Sequence, residues 1–234
     1  MLDILYLDDY LAIVNKPAGW LVHRTPLDKG ESRFVLQALR DQIGRPVWPA
    51  HRLDKGTSGV LLFALDAGTA RTLGQRFESG EGLHKTYRAI VRGWPVDEQS
   101  IDHPLKRMPD DMREQREEIQ NAQTRLRTLR RGELPIPQGD FPRLRWAEVE
   151  LQPLTGRRHQ LRRHMKHIAH PIIGDATHGK GPLNRAVATH LGLQRLWLHA
   201  LALQLRHPVT DVLLQVQAPL GPEWGLWPTC PRPA

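Results

Sequence analysis

Residues 51–64 read "HRLDKGTSGVLLFA". The second half is an unbroken apolar run from Val60 that continues to Leu65. A run this short, without polar alternation, fits a strand covered on both faces. The first half is different: a histidine, an arginine and one aspartate beside a Gly-Thr-Ser-Gly turn former. In an extended chain, alternate residues share a face. Arg52 and Asp54 then point one way, His51 and Leu53 the other. Leu53 can anchor in a core while Arg52 and Asp54 face a cleft. An exposed turn would read the same over these residues, with an Arg–Asp pair contributing at most about 1 kcal/mol. The rest of the chain has to decide between the two.

Working outward, "ILYLDDYLAIVNKPAG" predicts two short strands over 4–7 and 10–15, joined by an Asp-Asp turn and ended by Pro17 and Gly19. "SRFVLQALRDQIG" places Phe34, Val35, Leu39 and Ile43 near helical spacing and stops at Gly44. A second helix is expected in "GTARTLGQRFESG", with Thr69 as cap and Gly80 as stop. "HKTYRAIVRG" (84–93) alternates as a strand. Residues 106–145 hold ten Lys/Arg and seven Asp/Glu with few apolar residues, and predict a partly helical or mobile insertion. "RLRWAEVELQPLTG" returns to strand pattern. "QLRRHMKHIAH" spaces Leu161, Met165 and Ile168 at i, i+4 and i+7, an amphipathic helix with a cationic outer face. "LWLHALALQLRHP" and "DVLLQVQAPL" predict two antiparallel strands joined by "HPVTD". Strands and helices are interspersed, neighbouring strands look hairpin-linked, and no βαβ rhythm or Gly-rich phosphate loop occurs. The expected class is α+β, with a mixed, largely antiparallel sheet flanked by helices.

The 234 residues carry a net charge of +8 with His neutral, which points to a polyanionic partner, nucleic acid first and an anionic membrane surface second. From Leu151 to Gly174 there is no acidic residue, and "RRHQLRRHMKH" lies inside that window. A solvated helix face usually mixes signs, so a one-sign run favours phosphate contact. No apolar run approaches the roughly 18 residues of a spanning helix, and the acidic start "MLDILYLDD" is not a secretory signal. The single cysteine, Cys230, allows no internal disulfide and no cysteine-based zinc site. A reducing, cytoplasmic setting and a monomer are expected. Leu53 separates "HR" from the aspartate, unlike a kinase H-R-D loop. His164, His167 and His170 fit no zinc-binding spacing.

Five segments occur in order: "NKPAGWLVH" (15–23), "HRLDKGTSGVLLFA" (51–64), "HKTYRAIVRG" (84–93), "TGRRHQLRRHM" (155–165) and "HPIIGDATHG" (170–179). Together they resemble the RluA-type pseudouridine synthases, over about Leu2 to Leu220. The resemblance implies the pseudouridine synthase fold with an active-site cleft across its sheet. It implies one catalytic domain over 1–220, interrupted by the 106–145 insertion and followed by a Pro-rich tail (221–234). The first motif opens the chain, so no S4-like RNA-binding module is expected ahead of it.

What the resemblance implies chemically is isomerisation without a cofactor or metal. A uridine is flipped out of its stack, its N1–C1′ bond breaks, the base turns, and C5 bonds to C1′. Asp54 matches the family's essential aspartate, as nucleophile or as general base. One carboxylate near C1′ suits a centre that develops positive character. Arg162 matches the arginine paired with that aspartate, with Arg163 its nearest rival. Arg52 matches the residue that inserts where the uridine was, and Tyr87 the aromatic that packs on the flipped base and assists proton removal at C5. Lys85 shares that strand face, Leu198 supplies an apolar wall, and His51, Arg157, Arg158, Arg163 and Lys166 are expected to contact RNA. The wording of several motifs is most similar to a member acting on uridine 65 of transfer RNA. A ribosomal RNA target, an RNA-binding protein without chemistry, and a hydrolytic nucleosidase are the alternatives.

Overall fold

A computed structural model describes residues 1–24, 30–108 and 118–228. Residues 109–117 of the expected insertion, and 229–234 of the expected tail with Cys230, lie outside the described residues. The first half of the chain forms β1 (Asp3–Leu7), β2 (Leu11–Lys16), α1 (Val35–Ile43), β3 (Trp48–Pro49), β4 (Ser58–Ala64), α2 (Ala67–Ser79), β5 (His84–Arg92) and β6 (Glu98–Asp102). The second half forms β7 (Leu105–Lys106), β8 (Ile119–Gln120), β9 (Gln123–Leu134), β10 (Leu144–Pro153), α3 (Gln160–His167), α4 (Gly181–Leu191), β11 (Leu198–Arg206), β12 (Leu213–Gln217) and a short 3-10 helix, Pro222–Leu226. The strand pairings are mixed and mostly antiparallel, as the α+β expectation requires.

The chain divides into two compact units. The first is Met1–Tyr87 with Leu198–Gly221; the second is Arg88–Trp197 with the chain from Pro222. The chain passes from the first to the second within β5.

In the first unit, β4 is the middle of the structure. It pairs antiparallel with β2 and parallel with β11, and β12 returns antiparallel on β11. Leu61 and Phe63 point into a core with Val14, Val35, Leu39 and Leu53. Val60, Leu62 and Ala64 point into another with Leu11, Ile13, Leu73 and Leu203. Helix α1 thus covers one face and α2 the other, which is why "VLLFAL" is continuously apolar. The β1–β2 turn is fixed by the Asp8 carboxylate, which accepts from Tyr10 N at 2.8 Å and Leu11 N at 2.7 Å. The α2 cap differs from expectation: Asp66, not Thr69, is the N-cap residue, accepting from the Thr69 amide at 2.8 Å and its hydroxyl at 2.6 Å.

In the second unit, β9 and β10 form a long hairpin from Leu144↔Leu134 to Pro153↔Thr124, and β6 adds to β9. Over the described residues of the expected insertion the chain is strand, not helix. Along β9, Thr124 and Leu126 are buried while Arg125 and Arg127 are exposed, a strand alternation hidden by the charge count. Many cations of this hairpin are also neutralised within the protein: Arg127 by Glu150, Arg131 by Asp97, Arg143 by Glu133, and Arg130 by the buried Glu148, which also pairs with Arg88 of β5. The expected tail contributes to the core. Trp224 and Trp227 are buried, and both lie edge-on to the buried Trp197. Helix α4 has only Leu183 and Val187 buried, too weak a pattern to read as a helix.

Candidate active site

Asp54 lies in the turn between β3 and β4. The Thr57 amide donates to the Asp54 carbonyl at 3.0 Å, closing the turn. The next carbonyl, that of Lys55, is held twice from the "NKPAG" segment: by the Gly19 amide at 2.8 Å and by Lys16 Nζ at 3.1 Å. Lys16 is fully buried at the end of β2 and also donates to Pro17 O at 3.0 Å. A buried ammonium is tolerated when carbonyls surround it. The two leading motifs therefore form one unit, with the first clasping the second. Nothing in the spacing of "NKPAG" signals this role for Lys16.

Beyond the turn, the glycine of "TSG" is required by space. Gly59 has φ of +107°, and a Cβ there would lie 2.1 Å from Ala200 O on β11. Beside it, Ser58 Oγ lies 2.9 Å from His199 Nδ1, and His199 Nε2 lies 3.1 Å from Ala218 O. A carbonyl can only accept, so Nε2 carries the ring proton and Nδ1 accepts from the Ser58 hydroxyl. All of this anchors the strand that begins four residues after Asp54.

The predicted alternation holds locally: Leu53 is buried, Arg52 is exposed, and Asp54 is partly exposed. His51, expected among the RNA contacts, is turned inward instead. Its ring stacks on Phe77 at 4.6 Å and its Nε2 accepts from the Leu62 amide at 3.3 Å. Burial and the nearby Lys85 charge hold it down at about 3, so the ring is neutral at physiological pH. Lys85 sits over the same Phe77 ring, its Nζ 5.9 Å from the centroid, and burial pulls its ammonium below the usual range. Tyr87 packs against the core that contains Leu53. Burial raises its phenol first, and the Asp54 charge raises it further. The structure thus brings Tyr87 and Asp54 into one electrostatic neighbourhood and keeps the phenol protonated. Leu198 is buried at the start of β11.

In the second unit, Arg162 is buried, and its Nε and Nη2 donate to the two Asp175 oxygens at 2.7 and 2.8 Å. Asp175 Oδ1 also accepts from the Thr177 and His178 amides, both at 2.9 Å. Burial pushes the Asp175 carboxyl up, but Arg162 and these amides hold it below the usual carboxylate range. Asp175 is a residue the motif reading passed over. Its signal was present: it is the first carboxylate after the acid-free run that ends at Gly174. The "IIGDATHG" segment is shaped for this pair. Gly174 has φ of +80°, and a Cβ there would lie 1.7 Å from Arg195 O. Arg157 uses its Nε to donate to Asn121 O at 3.0 Å, Arg158 is exposed, and Arg163 and Lys166 have no carboxylate partner among the described residues.

The chain belongs to the RNA pseudouridylate synthase family, whose model matches residues 10–167. It is 50% identical over 228 residues to tRNA pseudouridine synthase C of Vibrio cholerae, covering 96% of this chain and 93% of that one. It is 48% identical to the protein of the same name from Salmonella typhi, covering 96% and 87%. Among solved structures, human RNA pseudouridylate synthase domain containing 4 aligns with a TM-score of 0.70 at 28% identity, over 96% of this chain and 90% of that one. Domain containing 1 aligns at 0.71 and 27%, over 94% and 83%.

Proposed function

We propose that this protein converts one uridine of a transfer RNA, at position 65, to pseudouridine without a cofactor. The observation that carries the reading is the placing of Asp54 in a turn clasped from "NKPAG", with its charge felt by the buried phenol of Tyr87. The names of the similar bacterial proteins support the transfer RNA substrate. Asp54 acts at the ribose or the base as the N1–C1′ bond breaks. The base turns, C5 bonds to C1′, and the C5 proton is lost while N1 gains one, so the product is an isomer. Tyr87 offers a neutral phenol, which suits packing on an uncharged base and a hydrogen bond to it. Any proton it takes from C5 must pass through its hydroxyl to another acceptor, since its phenolate is not populated at neutral pH. Arg52, exposed two residues before Asp54, fills the gap left in the RNA stack, where unstacking costs a few kcal/mol. Arg162 is assigned the part that the family resemblance gives it. Arg163, Lys166 and Arg158 add phosphate contacts.

The test is release of C5 tritium from labelled transfer RNA, with pseudouridine mapped in the product. Position 65 is expected to convert, and Asp54→Asn to lose at least about a thousandfold in rate. Retained activity in that variant sinks the assignment. Modification of ribosomal RNA instead would move the substrate to the runner-up. Free uracil would replace isomerisation with hydrolysis.

A further inference from the structure

Helix α3 does more than present Arg162. Arg163, Lys166 and His167 line a cavity of about 740 Å³, within the range of small-ligand sites. The opposite wall comes from the β6–β7 connection and the small β7–β8 sheet, with His103, Leu105, Lys106 and Ile119. His178 closes one side.

Three permanent cations and three imidazoles face this space, and no carboxylate lines it among the described residues. The three permanent cations attract an anion. The imidazoles are placed, not loose. His103 and His167 stack with centroids 3.6 Å apart at 11°. Beneath them His164 is fully buried, its Nδ1 2.9 Å from Thr124 Oγ1 and its Nε2 3.0 Å from His103 O. The carbonyl fixes the tautomer: Nε2 donates to His103 and Nδ1 accepts from Thr124. His178 Nε2 lies 3.0 Å from His159 Nδ1, and His159 is held in the left-handed region at φ of +55°. The rim is apolar. Ile119 is 74% exposed beside the buried Leu105, an aliphatic that nothing in the fold of the described residues requires on the surface.

We propose that this cavity binds one unstacked nucleotide of the RNA strand, its phosphate against Arg163, Lys166 and Lys106 and its base against Leu105 and Ile119. The proposal rests on the RNA-modifying reading and adds a second grip on the substrate, on residues the chemistry does not use. It also predicts proton uptake on binding. Burial holds His103, His164 and His178 below the ordinary imidazole range, and neighbouring cations add to this. Among the described residues, the nearby carboxylates are engaged elsewhere: Asp175 with Arg162, Glu118 with Arg107, and Asp102 with Gln123. Only Asp175 raises His178. A phosphate in the cavity favours imidazolium, so binding tightens from pH 7.5 to 6.

The experiment uses the full chain with labelled histidines, followed by NMR, and adenosine 5′-monophosphate as probe. The His103, His167 and His178 signals are expected to shift with the nucleotide bound, His103 and His178 to titrate at higher pH, and Lys106→Ala with Ile119→Ser to remove the effect. No shift at these rings, an equal response to inorganic phosphate or to adenosine, or a response untouched by the double variant overturns the proposal. In turnover assays the double variant is expected to raise KM for the RNA several-fold, keep kcat within about twofold, and lower the salt slope by about one. An unchanged KM and slope in an active enzyme overturns the pocket and spares the isomerase reading. An inactive wild type overturns that reading, while the nucleotide titration still decides the pocket.

Discussion

The turn that carries Asp54 is held through backbone atoms, whereas Arg162 is held through its own guanidinium. Around Asp54, the ties run to the carbonyls of Asp54 and Lys55, to the Ser58 hydroxyl and to the close approach of Gly59. Around Arg162, the tie is a bidentate bond to a carboxylate that is itself 1% exposed. The first arrangement holds a reactive group in place through its neighbours. The second makes a charged side chain part of the core, where loss of one partner leaves the other buried. Replacement should therefore separate activity from stability in the turn and confound them in the helix.

The sharpest way to break this contrast is to compare Asp54→Asn with Asp175→Asn. The ties of Lys55, Thr57, Ser58 and Gly59 survive loss of the Asp54 charge, so Asp54→Asn is expected to lose no more than about 1 kcal/mol of stability while turnover disappears. Asp175→Asn is expected to lose about 3–5 kcal/mol in chemical denaturation, because the Arg162 charge loses its buried counterion. Equal stabilities for these two variants would remove the distinction.

Next in size is Gly59→Ala. A methyl group would meet Ala200 O at 2.1 Å in a backbone region closed to L residues, and a loss of more than about 2 kcal/mol is expected. A smaller loss would show that β4 and β11 can part without cost. Ser58→Ala removes the hydroxyl that donates to His199 Nδ1 and is expected to cost about 1–2 kcal/mol, read by thermal denaturation. Retained kcat with that loss would make it an anchor of the strand alone; a fall in kcat would extend its effect to Asp54.

The smallest effect is acid sensitivity. His51 at about 3, and His103, His164 and His178 held low, are all depressed relative to an unfolded imidazole near 6.5. The unfolded chain then binds more protons, so stability is complete above about pH 6.5 and declines as pH falls through the lowered values. The melting temperature should drop between pH 7 and 5, and less so in His51→Gln.

Much of this was legible in the chain. "VLLFAL" read as a doubly covered strand because a buried centre leaves no polar alternation. The position of Asp54 opposite Leu53 followed from strand geometry alone. Residues 123–134 were misread because charge was counted before its period was examined, and the α4 pattern of two apolar residues was too sparse to register. His51 was assigned by its place beside Arg52, but a neutral ring packs as readily as an apolar one, and Phe77 is 26 positions away in sequence.

The sequence by itself determined the fold class and the family, since these depend on local periodicity and on motifs read in order. Only the tertiary structure decided which charges answer one another. It showed Arg162 bonded to Asp175, tied Lys16 to the Lys55 carbonyl, stacked His51 on Phe77 and left Arg163 and Lys166 facing a cavity. Ion pairs and close backbone approaches join residues far apart in the chain, and no spacing rule encodes them. They exist only once the strands have fixed where each side chain points.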